Sequence, residues 1–278
     1  AGEKSFTLTP KAFAPAIVLA ADDSGTITPK ADAKKLSAIV SAAAKKAGAE
    51  VVAKDAVVTF SGSTPTVTPD VPGVGLDDAS VQTEVWKAIT TPTRTATVTT
   101  KAVAPKFTTA IAKATLPKEK ISSFTTYYPA GQPRVTNIKV ASRVLNGTYI
   151  PPGGQFSMNA ILGKRTPDKG YVKAGIISGG RAASAYGGGI SQVSTTIFNA
   201  AFFSGMELDA WTPHYYYISR YPEGREATIS WPDLHNKFTN TTDGGVRMEV
   251  IATNSSITVN FWGTKKYDVT ATKSDRFD

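Results

Sequence analysis

Residues 186–200 read YGGGISQVSTTIFNA, in which an aromatic residue and three glycines lead directly into an increasingly apolar stretch. Val193, Ile197 and Ala200 recur at helical spacing, so the stretch predicts a helix that begins just after the glycines. Consecutive glycines in front of a helix favour a close approach of another group to the backbone. The stretch therefore predicts a helix N-terminus that is kept open beside Ser191.

Two interpretations of Ser191 follow from the residues alone. A serine directly before an apolar helix is typical of an N-cap, in which the hydroxyl accepts a backbone N–H. The alternative is a nucleophile, which needs a general base because a helix dipole worth roughly 0.3–1 kcal/mol cannot ionise a hydroxyl. His214 is the candidate base, because the other histidine, His235, lies in a DLHNKF loop with no matching motif role. A structural role for His214 is the alternative. Asp233 and Asp209 are both candidates for an acid that orients the base.

The composition narrows the class of protein. The 278 residues are 41% hydrophobic and 19% charged, which is typical of a folded protein of one or two domains. The absence of cysteine excludes disulfides, thiolate metal sites and a cysteine nucleophile, and with two histidines we expect no metal and no cofactor. A net charge of +9 favours anionic partners. The charge is spread along the chain without a dense basic run, so no nucleic-acid partner is predicted.

The pattern of elements predicts an α+β fold with a small α+β N-terminal module, residues 1–115, and a mostly β second domain, residues 136–278. Residues 116–135 show no stable period and are predicted to be a connection. The module is predicted to contain helices at 31–48 and 77–91. Its predicted strands lie within 4–9, 55–70 and 95–105. The second domain is predicted to begin with a helix at 134–147, and its strands are predicted at 171–178, 211–219, 225–231, 237–242, 246–253 and 256–263.

Several spaced motifs in the second half carry a family resemblance. They are Arg-x-x-Asn-Ile at 134–138, Pro-Gly-x-x-Phe-Ser-x-Asn at 152–159, Gly-x-Arg-Thr at 163–166, the glycine-rich helix start and His214. Through these motifs, residues from about 121 to 264 resemble a VanW domain. The FTLTP start, the TPDVPGVGLD turn and the PKFTT exit of residues 1–115 resemble the peptidoglycan-binding-type module that often precedes VanW domains.

The resemblance implies a bacterial envelope protein located outside the cytoplasm, in the cell wall or at the cell surface. It implies a membrane anchor upstream of this sequence and a peptidoglycan stem peptide or another cell-wall polymer as partner. Some VanW members carry a cysteine in Gly-Gly-Gly-x-Cys-Gln and have been linked to L,D-transpeptidation of stem peptides. Ser191 occupies that position here, as a natural residue or as an engineered substitution. Two hypotheses stay open: an L,D-transpeptidase-like acyl transferase and a non-catalytic peptidoglycan-binding or scaffold protein.

The candidate site combines these motifs with the residue types around them. Ser191 and His214 are the candidate catalytic residues. The glycines would admit a substrate carbonyl, and the helix N–H groups would hold an oxyanion. Arginines could bind a stem carboxylate with two hydrogen bonds, or form salt bridges with Glu223 or Glu226. The run of tyrosines at 215–217 is either a covered strand or a wall that stacks on sugar or peptide. The candidate substrate-binding residues are Tyr186, Gly187, Gly188, Gly189, Gln192, Arg165, Arg220 and Arg225.

Overall fold

The structure, a computed structural model, describes residues 4–21, 23–178 and 181–275. It divides into two compact units. Unit 1 comprises the residues up to Val57 together with Thr68–Thr109, and unit 2 comprises Val58–Val67 together with the residues from Ala110 onward. The domain boundaries predicted at residues 115 and 135 stay predictions.

Short helices and strands alternate in the first part of the chain. They are α1 (Pro10–Phe13), β1 (Ile17–Ala21), β2 (Ile27–Ala31), α2 (Ala33–Lys46), β3 (Val57–Ser61), β4 (Thr64–Thr68), β5 (Gly73–Leu76), α3 (Asp78–Ser80), α4 (Trp86–Thr90), β6 (Thr100–Val103) and α5 (Thr109–Ala114). A 3-10 turn, Ala14–Ala16, follows α1, and a π-helical turn, Val81–Val85, joins α3 to α4.

Strands are more frequent in the second part. The elements are β7 (Glu119–Tyr127), α6 (Arg134–Leu145), β8 (Tyr149–Ile150), β9 (Gln155–Ser157), α7 (Met158–Leu162), β10 (Lys173–Ser178), β11 (Arg181–Tyr186), α8 (Ser191–Phe203), β12 (Glu207–Ala210), β13 (Lys237–Thr239), β14 (Val246–Ala252) and β15 (Ser256–Gly263). A 3-10 turn, Pro167–Lys169, lies between α7 and β10.

Unit 1 is built from α2, the α3–α4 helix and two two-stranded antiparallel sheets, β1–β2 and β5–β6. Helix α2 begins where the Asp32 side chain accepts the N–H of Lys35 at 3.0 Å, as expected for an N-cap. Its buried face carries Leu36, Val40 and Ala44 at helical spacing. Both predicted helices of the N-terminal module are therefore confirmed.

Unit 2 is organised around a four-stranded antiparallel sheet in the order β7-β15-β14-β8. Helix α8 lies against β7 and β15, and α6 lies against β14. A second sheet, in the order β12-β13-β9, shares the same core. Its Phe238 ring stacks on Phe156 at 4.7 Å between centroids and lies 5.6 Å from the Phe261 ring of β15. The small α+β module followed by a strand-rich domain with a glycine-led helix is thus confirmed.

The structure corrects several predicted elements. Residues 119–127, predicted as part of a connection, form β7 and pair with β15 along its length. Two of the inward-facing residues of β7 are polar, because Ser122 donates to the Ala200 carbonyl at 2.7 Å and Thr126 bonds the Thr196 hydroxyl at 2.8 Å. These polar residues hide the alternation that identifies a strand. The segments 4–9, 211–219 and 225–231 lie outside the strands.

Within the described residues, no helix combines the length and the apolar character required to cross a membrane.

Candidate functional site

Helix α8 carries the candidate nucleophile at its first residue. Every residue from Gln192 to Ala201 is buried, so packing fixes the helix from all sides. Ile190 occupies the N-cap position, and the hydroxyl of Ser191 lies 3.2 Å from the hydroxyl of Thr228. The prediction that Ser191 is an N-cap is therefore wrong. Across the described residues, the backbone N–H groups of Ser191 and Val193 have no protein acceptor, so this helix end keeps its positive potential.

The three glycines before α8 are explained by contacts within the chain. Gly187 and Gly189 have φ values of +79° and +90°, which residues with a side chain rarely adopt. A Cβ at Gly187 would lie 2.7 Å from the Arg165 side chain, and one at Gly189 would lie 2.5 Å from Arg134 Cβ. At Gly188 a Cβ would lie 2.3 Å from the Ala174 carbonyl oxygen. The prediction that the glycines make room for a substrate is corrected, because the chain's own atoms occupy that space.

Asn137 of α6 holds the glycine turn in place. Its Nδ2 donates to the carbonyls of Val172 and Gly188, both at 2.9 Å, and its Oδ1 accepts the N–H of Val172 at 2.8 Å. The Asn137 side chain is fully buried, and these bonds satisfy its own polar atoms together with backbone groups of Val172 and Gly188. The asparagine of the Arg-x-x-Asn-Ile motif thus connects α6 to the turn that opens α8.

Buried polar side chains of α8 position the segment 225–228 along the helix. Asn199 donates to the Arg225 carbonyl at 2.9 Å. Thr195 donates to the Ala227 carbonyl at 3.3 Å and accepts the Ala227 N–H at 3.1 Å. Together with the Ser191–Thr228 contact, these hydrogen bonds form a ladder between α8 and the segment 225–228. The ladder runs from the C-terminal half of α8 to its N-terminus. The segment therefore brings Thr228 to Ser191 and Arg225 to the opposite end of the helix.

His214 pairs with Glu226 of this segment. The Glu226 carboxylate accepts the backbone N–H of His214 at 2.9 Å, and its second oxygen lies 3.1 Å from His214 Nδ1. Both side chains are 12% exposed. A carboxylate on Nδ1 fixes the imidazole and directs Nε2 away from it, as in an orienting acid–histidine pair. The two predicted orienting acids lie elsewhere, since Asp209 accepts from Gln155 and Thr239, and Asp233 belongs to the turn 231–234.

The histidine pair and Ser191 both contact the segment 225–228 and are not bonded to each other. The N–H of Thr228 donates to the Thr212 carbonyl at 2.8 Å, so the segments that carry His214 and Glu226 run side by side. Throughout the part of the chain that the structure describes, no hydrogen bond joins His214 to Ser191. The serine hydroxyl is bonded to a threonine and has no general base in contact. Its predicted activation by His214 is not present in this arrangement.

Arg165 and Arg134 lie against the glycine turn, and Arg220 lies near Arg134. None of the three has a carboxylate partner among the described residues. Arg165 is 8% exposed, its Nη1 donates to the Gly163 carbonyl at 2.7 Å, and its Nε and Nη2 have no protein acceptor. Burial lowers the pKa of Arg165. Burial, and then the nearby charge of Arg220, lower the pKa of Arg134. Arg134 and Arg220 are adjacent cations and together favour an anion, and Arg165 lies at the same glycine turn as Arg134. We call these three residues the arginine cluster (Arg134, Arg165, Arg220).

Other predicted site residues lie away from the cluster. Gln192 is fully buried and its Nε2 donates to the Tyr127 carbonyl at 3.2 Å, so it faces the core and no substrate amide. Arg225 stacks on the rings of Phe203 and Phe202 near the C-terminal end of α8, at 4.8 and 5.5 Å. Twelve residues of helix place that end about 18 Å from Ser191. Tyr186 is exposed at the end of β11.

An aromatic cavity of about 250 Å³ lies beside the histidine pair. Tyr215, Tyr216 and Tyr217 line it together with His214 and Tyr221. Tyr215 is 98% exposed and Tyr217 is 70% exposed, so the prediction of a strand covered on both faces is wrong. Burial raises the pKa of the Tyr221 phenol to about 12, which keeps it neutral under the nearby arginines. In the described part of the chain, no group of three or more metal-binding side chains is present.

Sequence reasoning missed three residues of the site. Arg134 appeared only as a motif position, Thr228 was not singled out, and Glu226 was assigned to an arginine rather than to His214. Glu226 lies twelve residues after His214 in an irregular loop, so no period connects them. The arginine of the Arg-x-x-Asn-Ile motif was the one available signal, because it is spaced three residues from the asparagine that holds the turn.

Comparisons with known proteins agree with both parts of the chain. The family described as "VanW like protein" matches residues 133–262, and the family described as "Putative peptidoglycan binding domain" matches residues 11–96. The first match contains α6, α8, the histidine pair and the arginine cluster. The second lies in the N-terminal part of the chain.

Two curated relatives share part of the sequence. The chain is 33% identical over 123 residues to the uncharacterized protein YoaR of Bacillus subtilis (strain 168), which covers 44% of this chain and 41% of that protein. It is 30% identical over 119 residues to the vancomycin B-type resistance protein VanW of Enterococcus faecalis (strain ATCC 700802 / V583), with 40% and 42% covered. The chain thus matches about two fifths of the length of each relative. No solved structure gave a significant match.

Proposed function

We propose that the chain is a cell-wall protein that binds peptidoglycan. The premise is that residues 133–262 form a VanW-like domain that follows a peptidoglycan-binding domain. The VanW-like domain binds the stem peptide, and the carboxylates of that peptide occupy the arginine cluster beside the N-terminus of α8. Ser191 does not transfer an acyl group in this state. The observation that carries the proposal is that Arg134 and Arg220 are adjacent cations without a carboxylate partner among the described residues.

The electrostatics of the site favour a carboxylated ligand. Arg134 and Arg220 repel each other, and a carboxylate between them would remove that repulsion and accept hydrogen bonds from both. The unpaired N–H groups of Ser191 and Val193 add the positive end of the α8 dipole. Stem peptides carry free carboxylates, so their charge complements this part of the domain.

The aromatic cavity supports binding of the attached sugar. Exposed tyrosine rings stack on the apolar face of a sugar while their hydroxyls bond its polar groups. The side chains of Tyr215 and Tyr217 are exposed to solvent, and they line the same cavity as His214. A ligand with a sugar on the tyrosines and a peptide carboxylate on the arginines would use both features.

A second candidate function, acyl transfer, is favoured by the His214–Glu226 pair. In that reaction Ser191 Oγ would give its proton to His214 Nε2 and attack the carbonyl that joins the diamino acid to D-Ala. The D-Ala amine would leave with that proton. An acceptor amine would then attack the ester carbonyl and form a new amide, while its proton passes through His214 to the departing Ser191 oxygen. Ser191 would first have to leave Thr228 and reach His214, because the two are not bonded here.

Calorimetric titration with a tetrapeptide stem and with its fully amidated analogue tests the binding proposal. We expect the stem to bind, and we expect the amidated form to bind at least about tenfold more weakly because it lacks the charged acceptors. Arg134→Gln with Arg220→Gln should weaken stem binding to a similar extent. Arg225→Gln is the matched control and should leave it unchanged. Equal affinity for both peptides, or an equal loss in the control, would refute the proposal.

Intact mass measurement separates binding from acyl transfer. The protein, Ser191→Ala and Ser191→Cys are incubated with the tetrapeptide stem and with a carbapenem. We expect no adduct on the protein itself. A covalent adduct that disappears in Ser191→Ala would establish acyl transfer and overturn the binding-only proposal. An adduct on Ser191→Cys alone would support the binding-only proposal. The site could then accept an acyl group, but the serine of the protein itself would not react.

A further inference from the structure

The β1–β2 sheet of unit 1 consists of two strands of five residues each. They pair antiparallel, from Ile17 opposite Ala31 to Ala21 opposite Ile27. In the described part of the chain, no third strand pairs with either of them. A sheet of two strands is marginally stable in water by itself, and each of its edges can accept a further strand. The two edges of this sheet are not equivalent.

The edge of β1 exposes unpaired backbone groups. The N–H of Asp32 donates to the Ala16 carbonyl at 2.7 Å, so these two residues form a hydrogen-bonded pair in the same register as the strands. Such pairs alternate with non-bonded pairs in an antiparallel sheet. Leu19 and Ala21 are therefore in non-bonded pairs, and their N–H and C=O groups point away from β2. Among the described residues, neither N–H has a backbone acceptor.

The edge of β2 is closed by its own sequence. Pro29 lies opposite Leu19, so the corresponding outward position of β2 has no N–H. The exposed Lys30 follows it. Proline and lysine are the residues with which proteins commonly prevent an edge strand from pairing. The strands β6 and β10 likewise carry Lys101 and Lys173, whereas β1 reads IVLAA and contains neither a charge nor a proline. Only the edge of β1 is thus open in this sheet.

Large apolar side chains lie exposed beside the open edge. Leu19 is 71% exposed and Ile27 is 67% exposed. The pairs that contain them, Leu19 with Pro29 and Ala21 with Ile27, are two residues apart along the strands, so all four side chains lie on one face. An unpaired, uncharged and apolar edge strand is a template for pairing with another strand.

A second copy of β1 complements this edge. When two copies run antiparallel and overlap over all five residues, Leu19 lies opposite Leu19 of the second copy, and Ile17 lies opposite Ala21. Each Leu19 N–H then donates to the Leu19 carbonyl of the other copy, and each Ala21 N–H donates to an Ile17 carbonyl. The Ile17 N–H is not needed, because it already donates to the Ala14 carbonyl. The chain has a net charge of +9, but this pairing brings no like charges together within the paired strands.

From these observations we propose that the chain forms a homodimer through β1, with a continuous antiparallel sheet in the order β2-β1-β1-β2. A twofold axis passes between the two Leu19 residues, so the interface is closed. Pro29 and Lys30 then lie at both outer edges and stop further pairing. Because two five-residue strands bury a small area, we expect the dimer to form at concentrations on the order of 100 µM.

The dimer would carry two copies of the domain that matches the peptidoglycan-binding family. Two linked domains bind a repeating polymer with a higher apparent affinity than one domain does. This consequence rests on the proposed function. The pairing itself does not, because it uses none of the residues of the candidate site.

Sedimentation equilibrium of the intact chain, from about 10 µM to about 1 mM, tests the pairing. We expect a monomer–dimer equilibrium. Leu19→Pro removes the central outward N–H and no bond to β2, and Leu19→Lys adds a charge at an exposed position, so each should weaken dimerisation at least about tenfold. Ile27→Lys adds the same charge to the same face from β2. It is the matched control and should weaken dimerisation by no more than about twofold. Melting temperatures check that each variant is folded.

Disulfide cross-linking tests the register. The chain has no cysteine, so Leu19→Cys introduces a single thiol in each copy. In the proposed register the two altered positions have Cα atoms about 5.5 Å apart, within the range of a disulfide. Val18→Cys is the control, because its two copies are offset along the strands and their Cα atoms lie about 8 Å apart, beyond that range. In oxidised glutathione we expect a covalent dimer of Leu19→Cys and none of Val18→Cys.

Three outcomes would overturn the proposal. A monomer at every concentration would leave the open edge to a strand of another protein. An equal loss of dimerisation in Ile27→Lys would place the contact on the apolar face and away from the edge. Equal cross-linking of Val18→Cys would exclude the register. If Leu19→Pro does not fold, Leu19→Lys and the cross-linking still decide. None of these measurements uses a stem peptide, so their result is independent of the proposed function.

Discussion

Gly188→Ala separates two explanations of the glycine turn, one based on folding and one based on ligand access. Gly188 does not have a positive φ, unlike Gly187 and Gly189, so an added methyl acts only through its contacts. The new Cβ would lie 2.3 Å from the Ala174 oxygen and 2.6 Å from the Ala174 carbonyl carbon. Both are backbone atoms of β10, which no side-chain rotation can move.

The size of the effect follows from these distances. The oxygen contact is more than 1 Å short of the 3.4 Å at which ordinary van der Waals contact begins. Overpacking of this kind costs about 1–3 kcal/mol. Moving Gly188 would also stretch the Asn137 bond to its carbonyl, which contributes about 1 kcal/mol. A total of about 2–4 kcal/mol corresponds to a decrease of about 5–15 °C in the melting temperature of a domain this size.

The assay is thermal unfolding without ligand, followed by circular dichroism and repeated by calorimetry. Gly175→Ala is the matched control, because it adds the same methyl to β10, the strand that Gly188 contacts, at a position where no atom lies within 4 Å. We expect the control to melt within about 1–2 °C of the parent protein. A Gly188→Ala protein that melts with the parent yet loses stem-peptide binding would refute our reasoning, since the glycine would then serve the ligand.

Three further substitutions test other parts of unit 2. Asn137→Ala removes three hydrogen bonds of a buried side chain and should lower the free energy of unfolding by about 3–5 kcal/mol in urea titration. Arg225→Gln should cost about 1 kcal/mol through its lost aromatic contacts while stem-peptide binding in calorimetry stays unchanged. Burial raises the pKa of Glu249, and hydrogen bonds from Asn260 and Trp262 lower it by more, so its net pKa is depressed. The stabilisation by ionised Glu249 is therefore present above the unfolded pKa and lost as the pH falls through the folded pKa. We expect Glu249→Gln to lose less unfolding free energy than the parent protein between pH 6 and pH 3.

Local patterns predict the elements whose buried faces are apolar. Helix α2 was predictable because Leu36 and Val40 repeat at helical spacing after an aspartate cap. Strand β7 was not, because Ser122 and Thr126 on its inward face are satisfied by partners on α8. Those partners lie at least seventy residues away, and no local period contains them. The strand predicted at the tyrosine run 215–217 was wrong for the opposite reason. Aromatic residues favour a strand, and here no neighbouring strand covers them.

The candidate site shows the same limit at the level of single residues. Ser191 and His214 were predicted as partners from their types, whereas in the described residues Ser191 bonds Thr228 and His214 bonds Glu226. Only the ladder from α8 to 225–228 decides that Glu226 meets His214 and that Arg225 lies at the far helix end. That ladder depends on the buried Thr195 and Asn199, which the sequence presents as ordinary polar helix residues.

The arginine cluster and the α8 N-terminus give the exchange of cysteine for serine a physical meaning. Positive potential at a helix start lowers the pKa of a thiol into the neutral range, whereas the pKa of a hydroxyl lies too far above it to respond. The same potential stabilises a bound carboxylate whichever residue stands at position 191. Under the proposed binding, a serine at position 191 offers no thiolate nucleophile and leaves the affinity for an anionic peptide in place. If this is correct, Ser191→Cys will change reactivity toward a carbapenem and leave the affinity for the tetrapeptide stem within about twofold of the parent value.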